Sequence, residues 1–254
     1  MEHEDATNSP TGPGYADLHE HLQALESSNL LFRIDEPVNK DTELHPLVRW
    51  QFRGGLAERD RRAFLFTNVI DGLGRHYKFP VVVGALAANA DIYRIGMGVP
   101  LDKIGETWRR AIANPIPPCV IENALCQEVV ITGSELLNEG NGLDALPIPI
   151  STPGFDSAPY LTATCCITAD PNSGRQNMGT YRAALKAPDR LAVKMFVNLQ
   201  QGGYGHWLQY RERGEKMPMA IVLGSPPVVT YCGPQKLAES VDEIAVAGGI
   251  AGIR

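Results

Sequence analysis

The spacing of apolar positions changes along the chain. Leu18, Leu22 and Leu25 stand at i, i+4 and i+7 behind Asp17, one face of a helix with a carboxylate at its cap. Residues 30–34 predict a strand, and Leu44, Leu47 and Val48, following Asp41-Thr42, predict a second helix. Residues 63–70 and 79–88 read as two buried strands, and Ile104, Trp108 and Ile112 predict a helix over 102–113 that Asn114-Pro115 terminates. Such alternation is that of an α/β layer. From Ile116 the texture differs: Ile116-Pro117-Pro118 and Leu146-Pro147-Ile148-Pro149 punctuate short β-type runs at 128–132, 161–168, 191–197 and 219–223. Strands at that spacing, with little helix between them, favour a barrel or sandwich. The expected fold class is therefore α+β. It comprises a flexible arm at 1–14 containing Pro10, Gly12, Pro13 and Gly14, an α/β unit at 15–115, and a β-rich unit at 116–254.

Composition narrows the function. Of 254 residues 44% are hydrophobic, and 23 Lys and Arg against 29 Asp and Glu leave a net charge of −6, which excludes a disordered acidic tail and a nucleic-acid coat. Apolar runs fall short of the roughly 18 residues of a membrane span, and the acidic start Met1-Glu2-His3-Glu4-Asp5 lacks a secretory pattern, so a cytoplasmic location is expected. Five cysteines without a C-x-x-C pair do not make a disulfide framework. Cys165-Cys166, inside an apolar run, reads as two small core residues with one thiol on each side of a sheet. Phosphate-loop, nucleophile-elbow and H-E-x-x-H patterns are absent. Gly96-Met97-Gly98, Gly202-Gly203-Tyr204-Gly205 and Gly248-Gly249-Ile250-Ala251-Gly252 read as turns or helix ends.

The informative stretch runs from Ala169 to Arg182. Asp170-Pro171-Asn172-Ser173-Gly174 is a hairpin turn. On a regular returning strand Asn177, Gly179 and Tyr181 would share one face, and Met178, Thr180 and Arg182 the other, unless a bulge intervenes at Gly179. Asp170-Pro171 followed by Asn177-Met178-Gly179-Thr180-Tyr181-Arg182 resembles the signature of the UbiD family of prenylated-FMN-dependent decarboxylases. The continuation to Leu191 is similar to the branch acting on hydroxybenzoate-like and heteroaromatic acids. Leu146-Pro147-Ile148-Pro149 upstream, and Gly202-Gly203 and Val241 to Gly248 downstream, fall in the family's order.

That resemblance implies a flavin-reductase-like split β-barrel for residues 116–254, incomplete at its C-terminal end, and non-oxidative, reversible decarboxylation of an aromatic or heteroaromatic acid. It implies prenylated FMN held through a divalent metal, usually Mn2+, with K+ nearby. Asn177 and Glu243 match two of the metal ligands, and both are oxygen donors suited to a hard cation. The third ligand is a histidine in the family, and Gln200 stands there; Gln200, a displaced His206 or water would complete the sphere. Arg182 matches the catalytic arginine, whose planar guanidinium can grip a carboxylate at two points. Gly179, Thr180, Tyr181, Leu199, Gln200, Gln201, Cys232, Gly233 and Pro234 would line the flavin and its phosphate.

Plainer readings stand beside these. Arg182 would otherwise be a solvated strand charge, Asn177 the end of the turn, Glu243 a solvent-facing helix residue, and His206-Trp207 a core pair; Lys186 and Arg190 read as surface charges. The family's two catalytic glutamates lie beyond the metal-binding one, whereas this sequence ends at Arg254, eleven positions past Glu243. A fragment of such an enzyme, a chain completed by a second polypeptide, or a non-catalytic cofactor-binding subunit would each fit. Expected partners are a small aromatic acid, a flavin prenyltransferase supplying the cofactor and further copies of the protein, with no nucleic acid and no membrane.

Overall fold

A computed structural model describes residues 15–196, 201–238 and 240–254. Helix α1 (Leu18–Ser27) starts at Asp17, whose Oδ1 accepts from the N–H groups of His19 and Glu20 and so satisfies two orphan donors. Then come β1 (Leu31–Ile34), β2 (Val38–Asn39), α2 (Leu44–Arg53), β3 (Ala63–Phe66), β4 (Val69–Ile70), β5 (Val81–Val83), α3 (Ala90–Met97) and α4 (Ile104–Ala113). Strand β3 lies between β1, parallel to it, and β5, antiparallel; β2 and β4 form a separate parallel pair. Leu25, Ala63 and Ile92 build one small core and Leu44, Phe66 and Val69 another, all of them fully buried. Each large side chain among them contributes about 1.5–3 kcal/mol by leaving water.

Several expectations shift. The run 63–70 breaks at Thr67-Asn68, because the chain leaves the sheet containing β1 to pair with β2. Only Val81–Val83 of 79–88 is strand: Gly84, at φ +83°, turns the chain and its carbonyl accepts from the Ala88 N–H at 3.1 Å. Helix α3 has no counterpart in the periodicity reading, although Asn89 caps it through Ile92 N–H and left-handed Gly98 closes it.

Beyond Ile116 the expected strand at 128–132 does not form. Val129 and Val130 are exposed, and among the described residues that segment pairs with no strand. After it follow β6 (Tyr160–Leu161), β7 (Cys165–Ala169), β8 (Gln176–Gly179), β9 (Ala183–Ala187), β10 (Arg190–Val193), α5 (Gly202–Glu212), β11 (Ala220–Val222), α6 (Pro227–Cys232) and α7 (Glu243–Ala251). Three helices thus occupy a region expected to hold little helix. Strands β10-β9-β6 and β11-β7-β8 form two antiparallel sheets, and among the described residues no closed barrel exists. Both thiols of Cys165-Cys166 are buried on β7, one against Ser225 Oγ and the other against the Tyr181 carbonyl.

The largest core draws on both halves of the chain. Met97 and Ala111 pack with Cys165, Met178, Val228, Val246 and Ile250. Gly248 and Gly249 are not turn residues but lie inside α7. A Cβ on Gly249 would stand 3.0 Å from the Ala111 Cα, so the missing side chain lets α7 close on α4.

Candidate functional site

The predicted hairpin forms. Strands β7 and β8 pair with Cys166 opposite Gly179, and Asp170 Oδ1 accepts from the N–H groups of Asn172 and Ser173, both at 2.8 Å. These amide bonds hold the Asp170 carboxyl below the usual carboxylate range. The strand ends at Gly179, so Tyr181 does not continue it; the chain crosses to β9 and the sheet it shares with β6 and β10.

Tyr181 still returns to Asn177. Its hydroxyl accepts from Asn177 Nδ2 at 3.3 Å and from the Gly203 N–H at 3.2 Å, joining β8 to the first turn of α5. Glycines make the space: a Cβ on Gly202 would overlap Asn177 Oδ1, one on Gly203 would lie 2.9 Å from the Tyr181 ring, and one on Gly179 would overlap the same ring. Helix α5 is seated on the hairpin further along by Gln209 Nε2, which donates to Asp170 Oδ2, and by Thr168 Oγ1, 2.9 Å from His206 Nδ1. His206 is buried with that partner, as the core reading expects.

Glu243 is the first residue of α7, behind the cap Asp242. Its carboxylate is buried and its Oε2 accepts from the Met178 N–H at 3.0 Å, so Glu243 and Asn177 address neighbouring positions of β8. Burial pushes the Glu243 pKa up against the opposing effect of the amide bonds. Burial of Cys232, and after it the nearby Glu243 charge, drive that thiol up to about 12. Asn177 and Glu243 are hard oxygen donors, the chemistry a divalent cation beside phosphate requires. Among the described residues no group of three or more His, Cys, Asp and Glu gathers to hold a metal, so an amide oxygen would have to share the work. Leu199 and Gln200 lie outside the described residues; Gln201 precedes α5 as its cap residue, and its side-chain oxygen accepts from the Phe196 N–H.

A cavity of about 320 Å³ opens on the other side of Thr180, in the range of small-molecule sites. It is lined by Leu86, Ala87 and Tyr93 of the first half and by Thr162, Thr180, Tyr231 and Pro234 of the second. Thr180 Oγ1 is buried without a hydrogen-bond partner, and a Cβ on Gly233 would stand 2.9 Å from it. A notch walled by the Tyr93 and Tyr231 rings and lacking charge, with an unsatisfied hydroxyl buried just behind it, suits a flat heterocycle. Of the residues expected at the flavin, Thr180 and Pro234 line this cavity and Gly233 borders it. Gly179 and Tyr181 pack instead around Asn177, and Cys232 is in the core. Leu86, Tyr93 and Tyr231 were not expected; the cue for Tyr231 was Pro226-Pro227, which opens α6 with a proline at its first position.

Arg182 is half-exposed. Its Nη2 donates to Asp156 Oδ1 at 2.8 Å, and its guanidinium lies 4.2 Å from the Tyr160 ring centroid. That hydrogen bond holds the Asp156 carboxyl below its ordinary value.

Comparison with known proteins bears on the family and the fold. Residues 22–112 match the family model described as 3-octaprenyl-4-hydroxybenzoate carboxy-lyase N-terminal domain, and residues 120–254 the one described as 3-octaprenyl-4-hydroxybenzoate carboxy-lyase Rift-related domain. An uncharacterized protein of Aquifex aeolicus is 29% identical over 93% of this chain and 49% of its own length. The UbiD-class enzyme HmfF from Pelotomaculum thermopropionicum, solved in complex with FMN, superposes with a TM-score of 0.78 at 28% identity, over 93% of this chain and 49% of that one. An evolved dimeric form of it, in complex with prFMN, gives 0.79 at 26% over 94% and 51%. The vanillic acid decarboxylase of Sedimentibacter hydroxybenzoicus in its open form gives 0.76 at 25% over 94% and 48%. The chain thus spans about half the length of the relatives it matches. With both family domains matched in order along its length, the chain belongs to the UbiD family.

Proposed function

We propose that this chain forms the prenylated-FMN-holding part of a non-oxidative, reversible decarboxylase of an aromatic or heteroaromatic carboxylic acid. The observation that carries the reading is the cavity lined by Leu86, Tyr93, Thr180 and Tyr231, with the unpartnered Thr180 hydroxyl buried behind its wall beside Gly233, next to β8, which carries Asn177 and whose Met178 N–H donates to Glu243. The relatives solved with FMN and prFMN support it. In this reading 15–115 is the N-terminal unit, and β6 to β11 belong to a split barrel within 116–254.

When bound, the modified flavin supplies the electron sink for the carbon that loses CO2. The chain supplies position and charge. Thr180 forms part of the wall against the ring system, and Tyr93 and Tyr231 keep its surroundings apolar and dry. Asn177 and Glu243, with Gln200, would offer oxygen to a divalent cation such as Mn2+, K+ being the second expected ion, and the cation would supply positive charge for the phosphate in a protein of net charge −6. Arg182 grips the substrate carboxylate by two N–H groups, exchanging the Asp156 carboxylate for that of the acid. The reaction would run in the cytoplasm, in an oligomer supplied by a flavin prenyltransferase. Among the described residues no helix is long and apolar enough to cross a membrane.

The test is co-expression with a flavin prenyltransferase, followed by absorbance, metal analysis and assay of CO2 release from protocatechuate, vanillate, 4-hydroxybenzoate and pyrrole-2-carboxylate. Bound flavin, bound metal and turnover abolished in Arg182→Ala are expected. Bound flavin without turnover assigns this chain a cofactor-binding role alone, and turnover that survives Arg182→Ala overturns the clamp.

A further inference from the structure

Two consecutive backbone carbonyls on the cavity's N-terminal wall are gripped from two sides by buried side chains far away in sequence. His21 Nε2 of α1 lies 2.7 Å from the Ala85 carbonyl oxygen, and the Tyr231 hydroxyl of α6 donates to the Leu86 carbonyl oxygen at 2.7 Å. A carbonyl only accepts, so the His21 proton is on Nε2, and its buried Nδ1 is left without a hydrogen-bond partner. The turn they hold begins at Gly84, in the left-handed region, and carries the cavity residues Leu86 and Ala87.

The Tyr231 arm of this clamp is itself braced. Its ring meets that of Tyr93 edge-on, with centroids 4.8 Å apart, and the Tyr93 hydroxyl accepts from Trp108 Nε1 at 3.1 Å. Its hydroxyl passes through a notch in α3 where Gly96 stands; a Cβ there would overlap the Tyr231 oxygen. Ala85 and Ala88 of the turn pack into the core around Leu25 and Ile92, and Leu86 packs against the largest core, so the two grips fix the backbone of a turn whose side chains are already seated.

We propose that His21 and Tyr231 are positioning residues that fix the Leu86–Ala87 wall and so set the width of the cavity and its grip on a flavin ring. The inference rests on the cavity's reading as the flavin site. It concerns residues that touch no cofactor phosphate and carry no charge into the reaction.

The test uses FMN as the probe, titrated into the full chain, with hydrogen exchange followed across residues 84–88. Tyr231→Phe keeps the ring on Tyr93 and removes only the donor. Gly96→Ala keeps the donor and displaces it. Both should lower exchange protection at 84–88, weaken FMN roughly five- to tenfold, the scale of one lost buried hydrogen bond, and alter the emission of bound FMN. Asp71→Ala is the control for mere loss of stability, since Asp71 Oδ1 accepts from the Leu73 and Arg75 N–H groups in a turn that lines no part of the cavity; it should leave the bound-FMN spectrum unchanged. Unchanged protection at 84–88 in Tyr231→Phe overturns the proposal. So does a loosened turn with wild-type FMN affinity and emission. Wild-type protein that takes up no FMN overturns the flavin reading instead, and the exchange data then decide the clamp on their own.

Discussion

The guanidinium of Arg182 is held by the carboxylate of Asp156, while Asp156 in turn accepts from the Thr152 N–H through its other oxygen. The loop at 151–156 is tied further to α2, where Arg49 Nη2 donates to the Ser151 carbonyl at 3.0 Å. Arg182 is therefore set in place by a carboxylate belonging to a loop that the first half of the chain holds down.

Asp156 titrates on the acid side. The Asp156 carboxyl is depressed first by its hydrogen bond to Arg182, so its contribution to stability is complete above the ordinary carboxylate pKa of about 4 and fades as pH falls through the lower folded value. Asp156→Asn should cost no more than about 1 kcal/mol at neutral pH, the scale of a partly exposed pair. In urea titrations the gap between the two proteins should narrow below about pH 4. A gap that widens in acid contradicts the assignment.

The sleeve around Asn177 and Tyr181 has no room for methyl groups. Gly202→Ala should destabilise the protein by about 1–3 kcal/mol, the usual range for overpacking, because its Cβ falls on Asn177 Oδ1. Gly205, which has open space around it, is the matched control, and Gly205→Ala should be neutral or mildly stabilising. Equal urea midpoints for the two variants would remove the steric argument.

Glu243 separates fold from ligation. Glu243→Gln keeps an acceptor for the Met178 N–H and should fold normally, yet retain less Mn2+ after gel filtration by elemental analysis. Glu243→Leu strands that amide and should lose about 1–3 kcal/mol in addition. Undiminished Mn2+ in Glu243→Gln would dissociate this residue from the metal.

Thiol chemistry reports the two environments of the five cysteines. Cys119 and Cys126 are exposed, whereas Cys165, Cys166 and Cys232 are buried and burial lifts the Cys165 and Cys232 pKa values, the latter to about 12. Iodoacetamide at pH 8 should modify the first two rapidly and the other three only on unfolding, as read by peptide mass spectrometry. Rapid labelling of Cys232 in the native protein would contradict its place in the core.

Local spacing was enough for α1, α2 and α4, where leucines or a tryptophan mark one face and Asp17 or Asn114-Pro115 marks an end. The Asp170–Gly174 turn was legible because each residue there has its own reason to turn. Val129-Val130 misled because β propensity states only that a residue suits a paired surface, and none is offered. Helix α3 escaped because 79–88 was read through Gly84, the residue that ends the strand and makes room for the Asn89 cap. The cavity was least legible of all: Tyr231 meets Leu86 across 145 positions, a distance no periodicity spans.

Because α4 and α7 close on one another through Ala111 and Gly249, the largest interior belongs to neither half of the molecule alone. Calorimetry should record one endotherm rather than two. A nick in the exposed stretch around Val120 and Leu125 should leave both pieces bound together, separating only when the whole molecule melts.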